Sequence, residues 1–221
     1  QLNYGILNAL GNITVTNLNP DGVSGGTAFL NIVGSGNQIL TGAGSPFRGQ
    51  LPQNIHINKP GGTLYLKNTI TVSGHWIIGT GNAGIIDGTT YNPTLSFFIK
   101  TFLGSVPGAN ISGSFTVGSL FFPTGGTVAM APGTEITIIN SLNLSATNFA
   151  SNRLTINTGK INVKGDVYMN NTSSDAGSGG SAAININGTG NQMLKGSGGR
   201  SRGPFPNIII DKPSGTLTLS S

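Results

Sequence analysis

The phrase "GSGNQILTG" at residues 34–42 returns as "GTGNQMLKG" at 188–196, 154 positions later. At that offset residues 25–66 lie over 179–219, with Gln53 alone unmatched. Upstream, Asn3, Gly5, Asn8, Gly11, Asp21 and Ser24 fall on Asn157, Gly159, Asn162, Gly165, Asp175 and Ser178. The positions that persist are glycines, an Asn-Gln pair, a Lys-Pro pair and alternating Ile and Leu. Those that change, such as His56 against Ile209, Asn58 against Asp211 and Tyr65 against Thr218, belong mostly to the outward half of the alternation. Apolar positions that fill a core and glycines that set turns are what a repeated scaffold must keep. The expected organisation is one full module over 1–154 and the start of a second over 155–221.

Each module breaks into short runs in which apolar and polar residues alternate between Gly, Asn or Pro. Examples are "NITVTNL", "NIHINK", "GTLYLKNTITVSG", "TEITIINSLNL" and "RLTINTGKINVKGDVYM". A period of two is the strand signal, and no extended run carries the 3.6-residue period of a helix. The runs mostly lack two-residue hairpin dipeptides between them, which favours coils stacked as parallel strands. The expected fold is all-β, a right-handed parallel β-helix or solenoid built from ~154-residue modules, with tandem β-sandwich domains as the alternative. Coils of roughly 20–25 residues rising about 4.8 Å each would put about seven coils in a module.

Charged residues make up only 8% of the chain, against about 25% in an average globular domain. Hydroxyls, amides and backbone must therefore cover the surface, while an apolar fraction of 36% in regular runs argues against disorder. Stacked Asn amides offer side-chain ladders between coils. Asn37 and Gln38, and Asn191 and Gln192, are expected at equivalent turns, capping backbone groups as the chain enters Ile39-Leu40 and Met193-Leu194.

Residues 84–134 break the rhythm with "TLSFFIKTFLGSVPG" and "GSFTVGSLFFPTGG", which hold six of the ten Phe. The expectation is an irregular insertion that packs its own small apolar core against the solenoid. The alternative is an exposed aromatic patch for a sugar ring or a neighbouring chain, with Phe98 and Phe122 as the contact residues.

The combination of "GNQIL" or "GNQML", "LPQNIHINKP" or "FPNIIIDKP", the following "GTL" and the later "ITVSGHW" resembles a known family. It is similar to the long Ser/Thr/Asn/Gly-rich β-helical repeat proteins on the surface of Bacteroidota, adhesin-like or filamentous polypeptides of which many are exported by type 9 secretion. The resemblance covers 1–83 and 135–221 and touches scaffold positions. It implies a secreted, extracellular, cell-surface structural protein, a non-catalytic shaft serving as filament, stalk or adhesin. Its partners would be neighbouring modules or subunits of the same protein along the fibre axis, and surface polysaccharide. The chain opens at Gln1 and stops at Ser221 inside strand-like patterns, so both ends are expected to be cuts, with targeting information elsewhere.

Chemistry is sparsely signalled. No two of Asp21, Asp87, Glu135, Asp166, Asp175 and Asp211 lie within eight residues, whereas β-helix lyases and hydrolases need clustered carboxylates for calcium or acid–base work. A glycan-binding module or a polysaccharide-degrading β-helix enzyme stands as the alternative function. His56 and His75 are too few for a metal cluster, and zero cysteines exclude disulfides and thiolate zinc sites, so no metal or cofactor is expected. Trp76 in "SGHWIIGTGNAG" reads as core, with a sugar platform as its alternative. The Gly-rich runs lack the Lys-Ser/Thr of a phosphate loop, and the repeated TxT of an ice-binding face occurs only sporadically. The net charge of +5 reflects scarce acids, and the scattered basic residues lack the stripe of a nucleic-acid binder. Lys195, Arg200 and Arg202, echoed by Arg48, form the one basic cluster, a candidate glycan or anion contact that otherwise reads as a solvated loop. No run approaches the roughly 18 apolar residues of a membrane span.

Overall fold

The computed structural model describes residues 2–16, 26–46, 49–97, 108–123, 126–145, 154–170, 179–196 and 206–221. Among them every regular element is a strand, and the strands pair in parallel. The alternating runs thus build a parallel β-solenoid, and parallel stacking excludes tandem sandwiches, whose sheets are antiparallel.

Three stacks of strands run along the solenoid. The first holds β1 (Ile6–Ala9), β3 (Phe29–Ile32), β6 (Asn54–Ile57), β9 (His75–Ile78), β12 (Ala109–Ser112), β14 (Gly126–Met130) and β16 (Leu154–Asn157). The second holds β2 (Ile13–Thr14), β4 (Gln38–Thr41), β7 (Thr63–Lys67), β10 (Ile85–Asp87), β13 (Phe115–Phe122), β15 (Glu135–Leu144), β17 (Lys160–Val163), β19 (Ala183–Ile186) and β21 (Asn207–Ile210). The third begins with β5 (Gln50–Leu51), β8 (Thr69–Val72) and β11 (Thr94–Phe97), passes through the C-terminal halves of β13 and β15, and continues in β18 (Asp166–Met169), β20 (Gln192–Lys195) and β22 (Leu217–Ser220).

Because β13 and β15 turn the corner unbroken, the second and third stacks form one 15-stranded sheet beside the 7-stranded first. Thr116 pairs with β10 while Ser119, Leu120 and Phe121 pair with β11, and the register slips between Val117 and Ser119. Gly118 occupies the slip. A Cβ there would lie 2.7 Å from both the carbonyl carbon of Asn92 and the carbonyl oxygen of Pro93, backbone atoms that cannot swing away, so the bend needs glycine.

Alternation turns the apolar half of each strand inward. Leu30, Ile55, Trp76, Ile111 and Met130 align in the first stack, Phe115, Ile136, Ile161 and Ile184 in the second, and Ile70, Leu95, Leu120, Leu142 and Val167 in the third. All are buried in one continuous core, each burial contributing about 1.5–3 kcal/mol.

The described part of residues 84–134 differs from the expected insertion. It supplies β10 to β14 in register with their neighbours, and Phe97, Phe115 and Phe122 fill the common core rather than a separate one. The rhythm is hidden in the sequence because coil length changes here. Trp76 pairs with Ile111, 35 residues on, whereas Ile55 pairs with Trp76, 21 residues on. The additional length includes 98–107, which lie outside the described residues.

Candidate functional site

The twin phrase forms the corner between two stacks. In the first copy β3 ends at Ile32, the chain turns, and β4 starts at Gln38, whose side chain is 1% exposed. Gln38 Nε2 donates to the carbonyls of Ala9 (3.2 Å) and Gly11 (2.6 Å), one coil back. Its Oε1 accepts from Nζ of Lys59, one coil on, at 2.6 Å. Lys59 is fully buried, and Nζ also donates to the carbonyls of Gly34 (2.6 Å) and Gly36 (2.9 Å). An ammonium has three protons and this cage supplies three oxygens, all from neutral groups. Gln38 and Lys59 therefore tie three successive coils together.

The second copy repeats the site atom for atom at the corner between the second and third stacks. Gln192 Nε2 donates to the carbonyls of Val163 (3.1 Å) and Gly165. Lys212 Nζ donates to the carbonyls of Gly188 (2.9 Å) and Gly190 (2.8 Å) and to Gln192 Oε1 (2.7 Å).

The other repeated letters serve the same corner. Asn37 Oδ1 accepts the Thr63 N–H at 2.9 Å, and Asn191 Oδ1 accepts the Thr216 N–H at 3.0 Å. A Cβ on Gly34 would lie 2.4 Å from the Leu10 carbonyl oxygen, and one on Gly188 would lie 2.0 Å from that of Lys164. After each Lys-Pro pair, Gly62 (φ 68°) and Gly215 (φ 74°) take the left-handed conformation that turns the chain into the next strand. Burial pushes the Lys59 ammonium below the ordinary lysine pKa, while the oxygen cage favours the charged form.

The corner contains Asn37, Gln38, Asn191 and Gln192, all singled out from the sequence. Sequence reasoning missed Lys59 and Lys212 as the partners of the two Gln, although the recurring Lys-Pro pair was the available signal. Arg48, Arg200, Arg202 and Phe98 lie outside the described residues. Lys195 ends β20, exposed and in register between Tyr168 and Ser220. Phe122 is corrected. As a contact residue it would need exposure, but it is fully buried and stacks on Phe97 with ring centres 5.6 Å apart. Its position in β13 falls on the inward half of the alternation.

Three of the described acids, Asp87, Glu135 and Asp166, serve local structure. Partial burial pushes the Asp87 carboxyl up, but the hydroxyls and backbone N–H groups of Thr90 and Thr89 outweigh it and hold the pKa down to about 2. Glu135 pairs with Lys160 at 3.3 Å. Asp166 accepts the Met193 N–H (2.8 Å) and the Tyr168 hydroxyl (2.9 Å). His75 Nδ1 accepts the Asn110 N–H at 3.2 Å, and burial, followed by the nearby charge of His56, pushes its pKa down. Among the described residues no three His, Asp or Glu converge to hold a metal ion, and no helix is long and apolar enough to cross a membrane.

One surface cluster was not foreseen. Tyr65 and Tyr91 meet edge to face at 6.2 Å, and Lys67 Nζ stands 5.1 Å from the centre of the Tyr91 ring, which is 41% exposed. The replacement of Tyr65 by Thr218 in the second copy was its only trace in the sequence.

The chain matches no protein-family model, and comparison with curated proteins and with solved structures returns no significant match.

Proposed function

We propose that this chain is a shaft segment of an extracellular repeat protein, working mechanically in a cell-surface filament, stalk or adhesin and not as a catalyst. The observation that carries this reading is the caged lysine. It is a side-chain tie across three coils, kept in both copies of the repeat while outward residues such as Tyr65 and Thr218 diverge. Separating the coils exposes a buried ammonium and its acceptors together with the parallel ladder, which suits a rod under axial load. Immunogold electron microscopy of the producing cells, with antibody to this chain, is expected to label filaments or stalks outside the cell. Label confined to the cell interior overturns the reading.

Glycan binding has one observation in its favour, the half-buried Tyr65 and Lys67 that flank the exposed Tyr91 ring, since an aromatic ring with a polar rim suits a sugar ring. Retention on immobilised polysaccharide that Tyr91→Ala abolishes, with the melting temperature unchanged, would establish that second role.

A further inference from the structure

The sequence repeat and the coil repeat are out of step. β3 lies in the first stack, yet its repeat-equivalent β19 lies in the second; β4 lies in the second, and its equivalent β20 in the third. The same shift carries β6 to β21 and β7 to β22. From β3 the first stack passes β6, β9, β12, β14, β16 and the Thr155–Gly179 bridge before the chain reaches β19 one stack on. A module is therefore about six and one-third coils, rising about 30 Å, and three modules are needed to return to the same face after about 90 Å. The corner tolerates this because it needs only two adjacent stacks over three coils, and both the first–second and the second–third corners supply them.

The shift also identifies what chemistry fits the edge made by β21 and β22. In the first copy, β6 and β7 are covered by β9 and β10, so Ile57 and Leu66 are fully buried. There the carbonyl of Ile57, the counterpart of Ile210, accepts the Gly79 N–H at 2.8 Å. In the second copy the equivalents Ile210 and Leu219 are 60% and 70% exposed. Asn207 and Asp211 direct their N–H groups to the coil below, so alternation turns those of Ile208 and Ile210 to the open edge.

We propose that the β21–β22 edge is an acceptor for one further coil with the sequence chemistry of residues 69–97, and that this coil seats its β9-like strand on the second stack, over β21. Tandem modules then wind their surface round the rod, so a determinant on one module faces a different direction on the next. The pairing does not depend on whether the chain serves as a shaft.

Ser221 occupies the repeat position of Asn68, so a copy of residues 69–97 can be fused directly after it. The fusion is made in a Trp76→Phe background, because Trp76 Nε1 has no hydrogen-bond partner among the described residues and only the appended indole then reports. The expected result is blue-shifted, quencher-protected emission from that indole. A disulfide should also form between Ile209→Cys and a Cys at the appended copy of Ile77, since His56 pairs with Ile77 in the first copy. Solvent-exposed emission without the disulfide, on an intact β spectrum, overturns the proposal. If the fusion fails to fold, a synthetic peptide of residues 69–97 is added to the unmodified chain and hydrogen exchange is read at β21 and β22. Protection of Ile208 and Ile210 rising at least about tenfold supports the acceptor edge, and unchanged exchange overturns it.

Discussion

Replacing Lys59 by Met keeps an unbranched stem of similar volume and removes the ammonium. Three acceptors then lose their donor: the carbonyls of Gly34 and Gly36 and Oε1 of Gln38. A buried acceptor without a partner costs about 1–3 kcal/mol, so the Gly34 carbonyl and Gln38 Oε1 together cost about 2–6 kcal/mol, and the carbonyl of the exposed Gly36 adds less because water can replace its donor. Against this, the folded state no longer bears the desolvation of a buried ammonium, itself several kcal/mol. The balance is a loss of about 2–4 kcal/mol, which at roughly 2–4 °C per kcal/mol for a chain of this size lowers the melting temperature by about 5–15 °C. Lys212 provides the internal control. It makes the same three bonds but is only half-buried, so water replaces part of what Lys212→Met removes and the loss stays near about 1 kcal/mol. Thermal and denaturant unfolding followed by circular dichroism measure both. A Lys59→Met protein within about 0.5 kcal/mol of the parent, or a Lys212→Met protein losing more than Lys59→Met, refutes the assignment of the cage as a coil tie, because surface substitutions fall in that range.

Phe122→Ala should cost about 3–5 kcal/mol in the same assay, because a fully buried ring stacked on Phe97 leaves a cavity; near-neutral stability would return this residue to the surface. Gly34→Ala should lose about 1–3 kcal/mol, since its methyl would press on the Leu10 carbonyl, whereas Gly36→Ala, with open space around its Cβ, should lose less. His75 has a folded-state pKa below its unfolded one, so the unfolded chain binds the extra proton. Its contribution is complete above about pH 6.5, the unfolded value, and is lost as pH falls through the folded value. Melting temperatures from pH 8 to 4.5 should show this slope in the parent and a flatter one in His75→Gln.

The alternation in runs such as "NIHINK" and "GTLYL" marked the strands correctly, because whether a residue faces core or solvent has a period of two that is local to each run. Glycines in the twin phrase marked the turns for the same local reason, and the preserved Asn-Gln pair pointed to the corner now seen to hold the cage. Phe122, offered as a contact residue of an exposed aromatic patch, was misjudged although its alternation was legible, since six Phe close together suggest such a patch until the register of β13 on β15 turns the ring into the common core.

The sequence by itself therefore determined an all-β repeated chain with turns at 34–38 and 188–192. Only the tertiary structure decided which distant residues share a level. Among the described residues, paired positions are separated by as few as 19 between Asn110 and Ala129 and as many as 35 between Trp76 and Ile111, so stacking depends on the summed lengths of all intervening turns. That sum brings Lys59 into the Gln38 corner and sets the second module one face round from the first. A local pattern carries no memory of such a sum, whereas the hydrogen-bond register of parallel coils records it strand by strand.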